Sequence, residues 1–250
     1  VPGVRSIISL ALNYAPAQQI PKGEYQIAAY ALGQDYHDLM KLKMRELATK
    51  IAEQYQIPQN KEDEEPTIRC FCDTAPVLER YWAQKAGLGW VGRNHQLIIP
   101  HAGSMFFLGE IFLPFDTDNY DEPIPNRCGR CHRCIDACPT RAIIPDEDFH
   151  AERCLSYQLI ENREELSDEA KAAMGDTIYG CDRCQTACPW NRYATPNTEP
   201  TLQPKPELLS MSKEKWHNLT VEEYQRLFKG SAVKRVKFEG LKRNITVKKF

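Results

Sequence analysis

The spacing of apolar and polar positions divides the chain into a strand-and-helix start, a cysteine-bearing middle and a helical end. Residues 4–14 are short and apolar enough for a buried strand. A Pro/Gly break over 16–23 follows. Leu39, Leu42, Leu47 and Ile51 then recur at helical spacing, which predicts an amphipathic helix from about 35 to 55. Residues 59–66 read as a charged loop. Residues 67–72 alternate as a strand does, with Cys70 and Cys72 on one face as small buried residues rather than ligands. Asp73 and Thr74 read as the cap of a helix that runs to Gly87 with a proline in its first turn. Two further strands, 96–100 and 104–113, are joined at His101, Ala102 and Gly103. Strands alternating with helices make residues 1–120 an α/β layer.

Residues 116–126 are acidic and proline-bearing, a linker into a middle segment over 127–200. Beyond Pro200 the pattern is helical. Thr220 and Glu223 make a capping box, Gly230 ends that helix, and Ser231 starts another carrying Val233, Val236 and Leu241. Such paired short helices suggest the start of a helical repeat. The expected organisation is 1–126, 127–200 and 201–250, and the fold class α+β. Gly87-Leu-Gly89-Trp-Val-Gly92 matches G-x-G-x-x-G but follows a helix and precedes a strand, the reverse of a dinucleotide fingerprint. Its glycines are expected to end the helix and turn the chain.

The cysteines change the picture most. Cys128, Cys131, Cys134 and Cys138 form a C-x-x-C-x-x-C-x-x-x-C-P run. Cys154, Cys181, Cys184 and Cys188 form a second, interrupted one that also ends in C-P. In such runs three closely spaced thiolates hold one iron–sulfur cube and the cysteine before proline reaches the other. One [4Fe–4S] cluster is therefore expected on Cys128, Cys131, Cys134 and Cys188. The second is expected on Cys138, Cys154, Cys181 and Cys184. A zinc site closes at four ligands and does not need this run. Disulfides suit short secreted chains, whereas this chain has 250 residues and shows no signal segment.

Charge is distributed unevenly behind a net of −2. Residues 201–250 hold 12 Lys/Arg against 5 Asp/Glu, which suggests a basic surface that meets phosphate, with a solvated helical face as the bland alternative. No apolar run reaches the length of a membrane span. Redox cysteines without a secretory signal point to the cytoplasm. The start at Val1, directly before a strand-like run, points to a preceding segment.

Four features together carry a resemblance. Cys72-Asp-Thr-Ala-Pro-Val-Leu-Glu-Arg80, Gly89-Trp-Val-Gly-Arg-Asn94, Ala102-Gly-Ser-Met-Phe-Phe-Leu-Gly-Glu110 and the interrupted run at Cys154 look like the epoxyqueuosine reductases. Members of that family remove the epoxide oxygen from a modified guanine at the tRNA wobble position, using cobalamin and two [4Fe–4S] clusters. The resemblance implies a nitroreductase-like cobalamin layer, a ferredoxin-like domain and HEAT-like helices. It implies Asp73 as proton donor to the leaving oxygen. It places Tyr36, His37, Asp73, Leu97, Ile98, His101, Ala102, Leu108, Ser156, Cys181 and Asp182 at the cobalamin. Glu161 and Arg163 resemble positions that meet tRNA. Lys229, Lys234, Arg235, Lys237, Lys242, Arg243, Lys248 and Lys249 would form the phosphate footprint. An external low-potential electron donor and a monomeric state are further expectations. The competing readings are a cobalamin-dependent reductive dehalogenase, a ferredoxin-type electron-transfer module, and a nucleic-acid-binding protein with structural clusters.

Overall fold

The computed structural model describes residues 2–57, 67–145 and 149–247; the charged loop over 59–66, Lys248 and Lys249 lie outside them. Strand β1 (Ser6–Asn13) is followed by a short β2 (Gln26–Ile27) and by helix α1 (Tyr36–Gln54). Asp35 caps α1, its side chain accepting the His37 backbone N–H at 3.0 Å. Then come β3 (Arg69–Phe71), α2 (Glu79–Lys85), β4 (Trp90–Val91), β5 (Leu97–Ile98) and β6 (Phe106–Leu113). The main sheet has the order β1-β6-β3, and both of its pairings are antiparallel. The expected α/β layer is therefore an antiparallel sheet. Both pairings of this sheet being antiparallel, it contains no parallel crossover.

Helix α1 lies on one face of this sheet, but not on its leucines. Met40, Met44 and Ala52 are buried, while Leu42 and Leu47 are 57% and 37% exposed. The reason lies in β6. A Cβ on Gly109 would sit 2.7 Å from both Met40 Cε and Met44 Sδ, so the glycine leaves a hollow that the two flexible thioethers fill. Tyr14, Phe107 and Ile111 complete this core. Cys70 and Cys72 pack here too, and burial pushes both thiols up.

The expected helix over 74–87 begins only at Glu79, with Leu78 at its cap position making no side-chain bond. Asp73 is therefore not a helix cap. It adopts a left-handed φ of 55°. Pro76 disfavours the helical region for Ala75, so the segment stays irregular for another turn. Gly87 and Gly89 lead from α2 into β4, where a Cβ on Gly89 would meet the Ile98 carbonyl oxygen at 2.2 Å. Close approach in the β4–β5 hairpin explains that glycine.

The middle segment carries α3 (Arg133–Asp136), α4 (Leu155–Ile160), α5 (Asp168–Ala173), β7 (Thr177–Tyr179) and α6 (Arg183–Thr186). Strand β7 pairs in parallel with β2. The end holds α7 (Pro206–Leu209), α8 (Lys213–His217), α9 (Val221–Leu227) and α10 (Lys237–Thr246). The Thr220/Glu223 capping box forms as expected. The single helix expected after Ser231 is instead a 3₁₀ turn, Ala232–Val236, and then α10, broken where Lys237 takes a φ of 61°.

One hydrophobic core draws on all three sequence segments: Tyr25 and Ile27 from the first, Ile178 and Tyr179 from the second, and Trp216, Tyr224 and Leu241 from the third. The fully buried Asn244 donates to the carbonyls of Leu159 at 2.8 Å and Ile178 at 2.9 Å, which ties α10 to α4 and β7. No helix among the described residues is long and apolar enough to cross a membrane.

Candidate active site

The left-handed backbone at Asp73 turns the chain out of β3, and Asp is one of the few residues that tolerates it. The turn is held by the Asp73 backbone N–H, which donates to Glu79 Oε1 at 2.7 Å. Its carboxylate then faces the start of α1. The Tyr36 hydroxyl donates to Asp73 Oδ2 at 2.5 Å, and His37 Nε2 lies 3.4 Å from the same oxygen. On its other side His37 Nδ1 meets Asp35 Oδ1 at 2.6 Å. The Tyr36 ring is stacked on Phe107 at 4.0 Å and on His37 at 4.1 Å, which fixes the orientation of both polar tips.

These contacts set the charges. The bonds to Asp35, and then to Asp73, push His37 up to about 9. Asp73 is held below the usual carboxylate range, first by His37 and then by the Tyr36 hydroxyl. Burial and the neighbouring carboxylate push the Tyr36 phenol up. At neutral pH the group is thus a carboxylate flanked by an imidazolium and a phenol, two proton donors on one acceptor.

The cysteines gather into two sets. Cys134 lies close enough to Cys128 and Cys188 for their charges to act on its thiol, as does Cys188 to Cys128 and Cys131. Cys184 senses Cys181, Cys154 and Cys138 in the same way. All eight thiols are free, and burial pushes Cys181 up to about 11 and Cys184 to about 12. Among the described residues no group of three or more His, Cys, Asp or Glu closes on a single metal ion. The second set lines a cavity.

Two adjoining cavities join Asp73 to the second set. One, of about 280 Å³, is lined by Tyr36, Asp73, Leu97, Phe107 and Leu108. The other, of about 230 Å³, is lined by Cys138, Cys154, Cys181 and Cys184 with Ser156 and Asp182. Tyr14, Tyr30 and Gln96 line both. Asp182 accepts the Ala29 N–H at 2.6 Å, and burial raises it to about 6.

Some residues expected at the site line neither of these two cavities. Ile98 is packed inside the hairpin and lines neither cavity. His101 is exposed and rests its ring against Trp190 and Tyr193, and neighbouring Ala102 also stays outside both cavities. Conversely, Tyr14, Tyr30, Gln96 and Phe107 were not foreseen. Tyr14 and Phe107 sit just beyond and near the end of paired strands, a position that could have flagged them. Tyr30 had no such signal.

The basic end is divided. Arg243 donates to the carbonyls of Asn162 at 2.9 Å, Glu164 at 2.5 Å and Gln158 at 3.1 Å, and Lys242 Nζ to that of His217. Both act as internal ties. Arg163 donates to the carbonyl of Arg235 at 3.0 Å, while the Arg235 guanidinium holds the Glu161 carboxylate at 2.8 Å. Lys229, Lys234, Arg235 and Lys237 are exposed. The Asp35 N–H donates to the Gly230 carbonyl at 2.7 Å, so this exposed strip borders the start of α1 and hence Asp73.

The comparisons with known proteins agree with this arrangement. Residues 127–191 match the family described as a 4Fe-4S double cluster binding domain, and residues 1–74 the one described as Epoxyqueuosine reductase QueG, DUF1730. The chain is 42% identical to an epoxyqueuosine reductase of Cellulophaga algicola, over 98% of this chain and 77% of that protein. It superposes on the epoxyqueuosine reductase structure from Streptococcus thermophilus with a TM-score of 0.83 at 29% identity, covering 98% of this chain and 64% of that one. An epoxyqueuosine reductase solved with a tRNA-Tyr epoxyqueuosine-modified stem loop gives a TM-score of 0.79 at 27% identity, over 99% of this chain and 64% of that one. The chain belongs to the epoxyqueuosine reductase family.

Proposed function

We propose that this chain is an oxidoreductase that reduces epoxyqueuosine to queuosine at the wobble position of tRNA. The observation that carries the reading is the pair of cavities running from the Asp73 carboxylate to the second cysteine set. Converting an epoxide to an alkene takes two electrons and two protons and releases water. One end of the cavity pair is suited to protons and the other to electrons.

The cysteines would hold two [4Fe–4S] clusters, one on Cys128, Cys131, Cys134 and Cys188, the other on Cys138, Cys154, Cys181 and Cys184. Between the second set and Asp73, the aromatic and apolar surfaces of Tyr14, Tyr30, Leu97, Phe107 and Leu108 fit a corrinoid, with Ser156 and Asp182 on the cysteine side. A bound cobalamin supplies low-valent cobalt, a strong reductant and nucleophile that no side chain provides.

The protein's own part is protonation and binding. Asp73 delivers a proton to the leaving oxygen. Because Asp73 rests as the anion, His37 Nε2 is the source that recharges it, and Asp35 keeps His37 protonated. Tyr36 fixes the carboxylate. Arg163 and the exposed strip of Lys229, Lys234, Arg235 and Lys237 would meet anticodon phosphates, and Glu161, paired with Arg235, would lie within the same tRNA-facing surface. A flipped or unstacked base suits a pocket beside such a strip. In this reading residues 1–126 form the nitroreductase-like cobalamin layer, 127–200 the ferredoxin-like part and 201–250 the HEAT-like start of the tRNA surface, in a cytoplasmic protein.

The test is anaerobic reconstitution with iron, sulfide and cobalamin, followed by turnover on epoxyqueuosine-containing tRNA. About eight iron, one cobalt and product queuosine are expected. Eight iron without cobalt or turnover would overturn the reading.

A further inference from the structure

The two cysteine sets differ in what surrounds them. Each cysteine of the first set has an arginine beside it or one turn away: Arg127 before Cys128, Arg130 before Cys131, Arg133 before Cys134, and Arg192 after Cys188. All four are exposed. Among the described residues none of them is ion-paired to a carboxylate; Arg192 instead lies over the Tyr193 ring. The nearest acidic group on α3, Asp136, is taken by His132 at 2.7 Å. A fifth arginine, Arg93, reaches across from the sheet side and donates to the carbonyls of Gly129 at 2.8 Å and Cys131 at 3.1 Å, which pins the loop that carries the others.

The second set has fewer: Arg141 after Cys138 and Arg153 before Cys154 are exposed. Its thiols line the inner cavity. The arginine beside Cys184, Arg183, is folded onto the carbonyls of Ala173 at 2.6 Å and Met174 at 2.8 Å. Cys181 is followed by Asp182, an acid that accepts the Ala29 N–H. Exposed arginines are thus denser around the first set, four against two, and that set lines neither of the two cavities that run from Asp73.

We infer that the arginine-ringed surface around Cys128, Cys131, Cys134 and Cys188 is the docking face for an acidic one-electron carrier protein. This rests on the proposed clusters and reaction. A donor must bring its redox centre close to one cluster, and the second set already lines the cavity that adjoins Asp73's. Complementary charge speeds and orients such short-lived encounters, and guanidinium groups suit carboxylates by their bidentate geometry. Each docking event passes one electron: the carrier is oxidised by one and the first cluster goes from its 2+ to its 1+ state. Two such events supply the two electrons of one deoxygenation.

The experiment uses the reconstituted full chain, a reduced flavodoxin or plant-type ferredoxin as the acidic carrier, and reduced methyl viologen as a small cationic donor. In one variant Arg127→Glu, Arg130→Glu and Arg133→Glu are combined. In a second, milder one the same three become Gln, and iron content confirms both clusters. The carrier's binding constant, read by calorimetry with the oxidised carrier, should weaken at least tenfold in the Glu variant and lose most of its salt dependence. Cluster reduction by the carrier should slow by a similar factor, with the Gln variant intermediate. Reduction by methyl viologen should be unchanged or faster, and the KM for tRNA unchanged. Carrier binding that ignores the charges would overturn the inference. So would weakened tRNA binding in their place, which would make the ring an RNA surface. If the unaltered protein driven by methyl viologen gives no queuosine, the proposed reaction fails, while the carrier-binding comparison still decides the docking face.

Discussion

The Tyr36 hydroxyl donates to Asp73 Oδ2 at 2.5 Å while His37, the next residue in α1, reaches the same oxygen from 3.4 Å. Two consecutive residues at a helix start thereby hold one carboxylate, and that carboxylate sits at the mouth of a cavity leading to the second cysteine set. Replacing Asp73→Asn keeps the shape and removes the carboxylate that relays the proton. Turnover should fall by about 10²–10⁴-fold. Tyr36→Phe, which leaves the proton path through His37, should cost about tenfold, roughly the worth of one hydrogen bond to a charged group. Single-turnover rates on modified tRNA check both, with iron content showing that the fold is intact.

His37 gives the pH dependence. Its folded value of about 9 lies above the ordinary histidine value, so the folded state binds the proton more tightly than the unfolded one. Its contribution to stability is complete below about 6.5 and is lost as pH rises through about 9. Asp73 acts in the opposite direction: its lowered value stabilises the fold above the ordinary carboxylate range, and that is lost on acidification. If His37 recharges Asp73, turnover should fall on the alkaline side near pH 9, and His37→Gln should abolish that limb. A rate profile from pH 6 to 10 on both proteins decides it. An unchanged alkaline limb in the variant would remove His37 from the proton path.

Close packing in the sheet layer can be tested with two glycines. Gly109→Ala pushes a methyl against Met40 Cε and Met44 Sδ, the ends of flexible side chains, so the cost should be about 1–2 kcal/mol. Gly89→Ala pushes against the Ile98 carbonyl oxygen, which is backbone and cannot turn aside. That variant should lose more, about 3 kcal/mol or above, because the hairpin itself must open. Denaturant unfolding of the two variants gives the order directly. Equal losses would mean that the hairpin yields as readily as a methionine side chain.

What the sequence made legible was local. Asp35 before the long helix and the Thr220/Glu223 box each act within a few residues, and both appear in the structure where the pattern put them; the cysteine spacing, equally local, matches the double-cluster family over 127–191. Pairings between distant residues were not legible. The parallel bridge of β2 to β7 joins Gln26 to Thr177, and nothing in either dipeptide announces the other. The choice of Met40 and Met44 over Leu42 and Leu47 for the core depended on a glycine more than sixty residues away. Asp73 was read as a helix cap because its neighbours resemble one. The proline that suggested a first turn instead helped delay the helix to Glu79. Tyr14 and Tyr30 reach the cavities only through tertiary packing, which no local pattern announces.

Glu110 offers a last test, in the layer behind Asp73. It is fully buried in β6, and neither of its carboxylate oxygens has a hydrogen-bond partner. Ser9, directly opposite it on β1, also has an unpartnered hydroxyl. Burial, with a smaller effect from Glu79, pushes Glu110 up to about 8, so the side chain is a neutral acid at pH 7. The folded state therefore keeps a proton that the unfolded chain releases near 4.5, and stability should decline as pH rises from about 4.5 to 8 before levelling off. Glu110→Gln cannot ionise and should lack that decline. The two proteins should have similar stability at pH 5, and the variant should gain relative to the parent as pH rises, by up to about 4 kcal/mol at pH 8.5. Unfolding midpoints across that range check the prediction. A constant difference between the two would mean that Glu110 does not titrate in this window, and the carboxyl would then need a partner, such as a buried water bridging it to Ser9, that holds its charge.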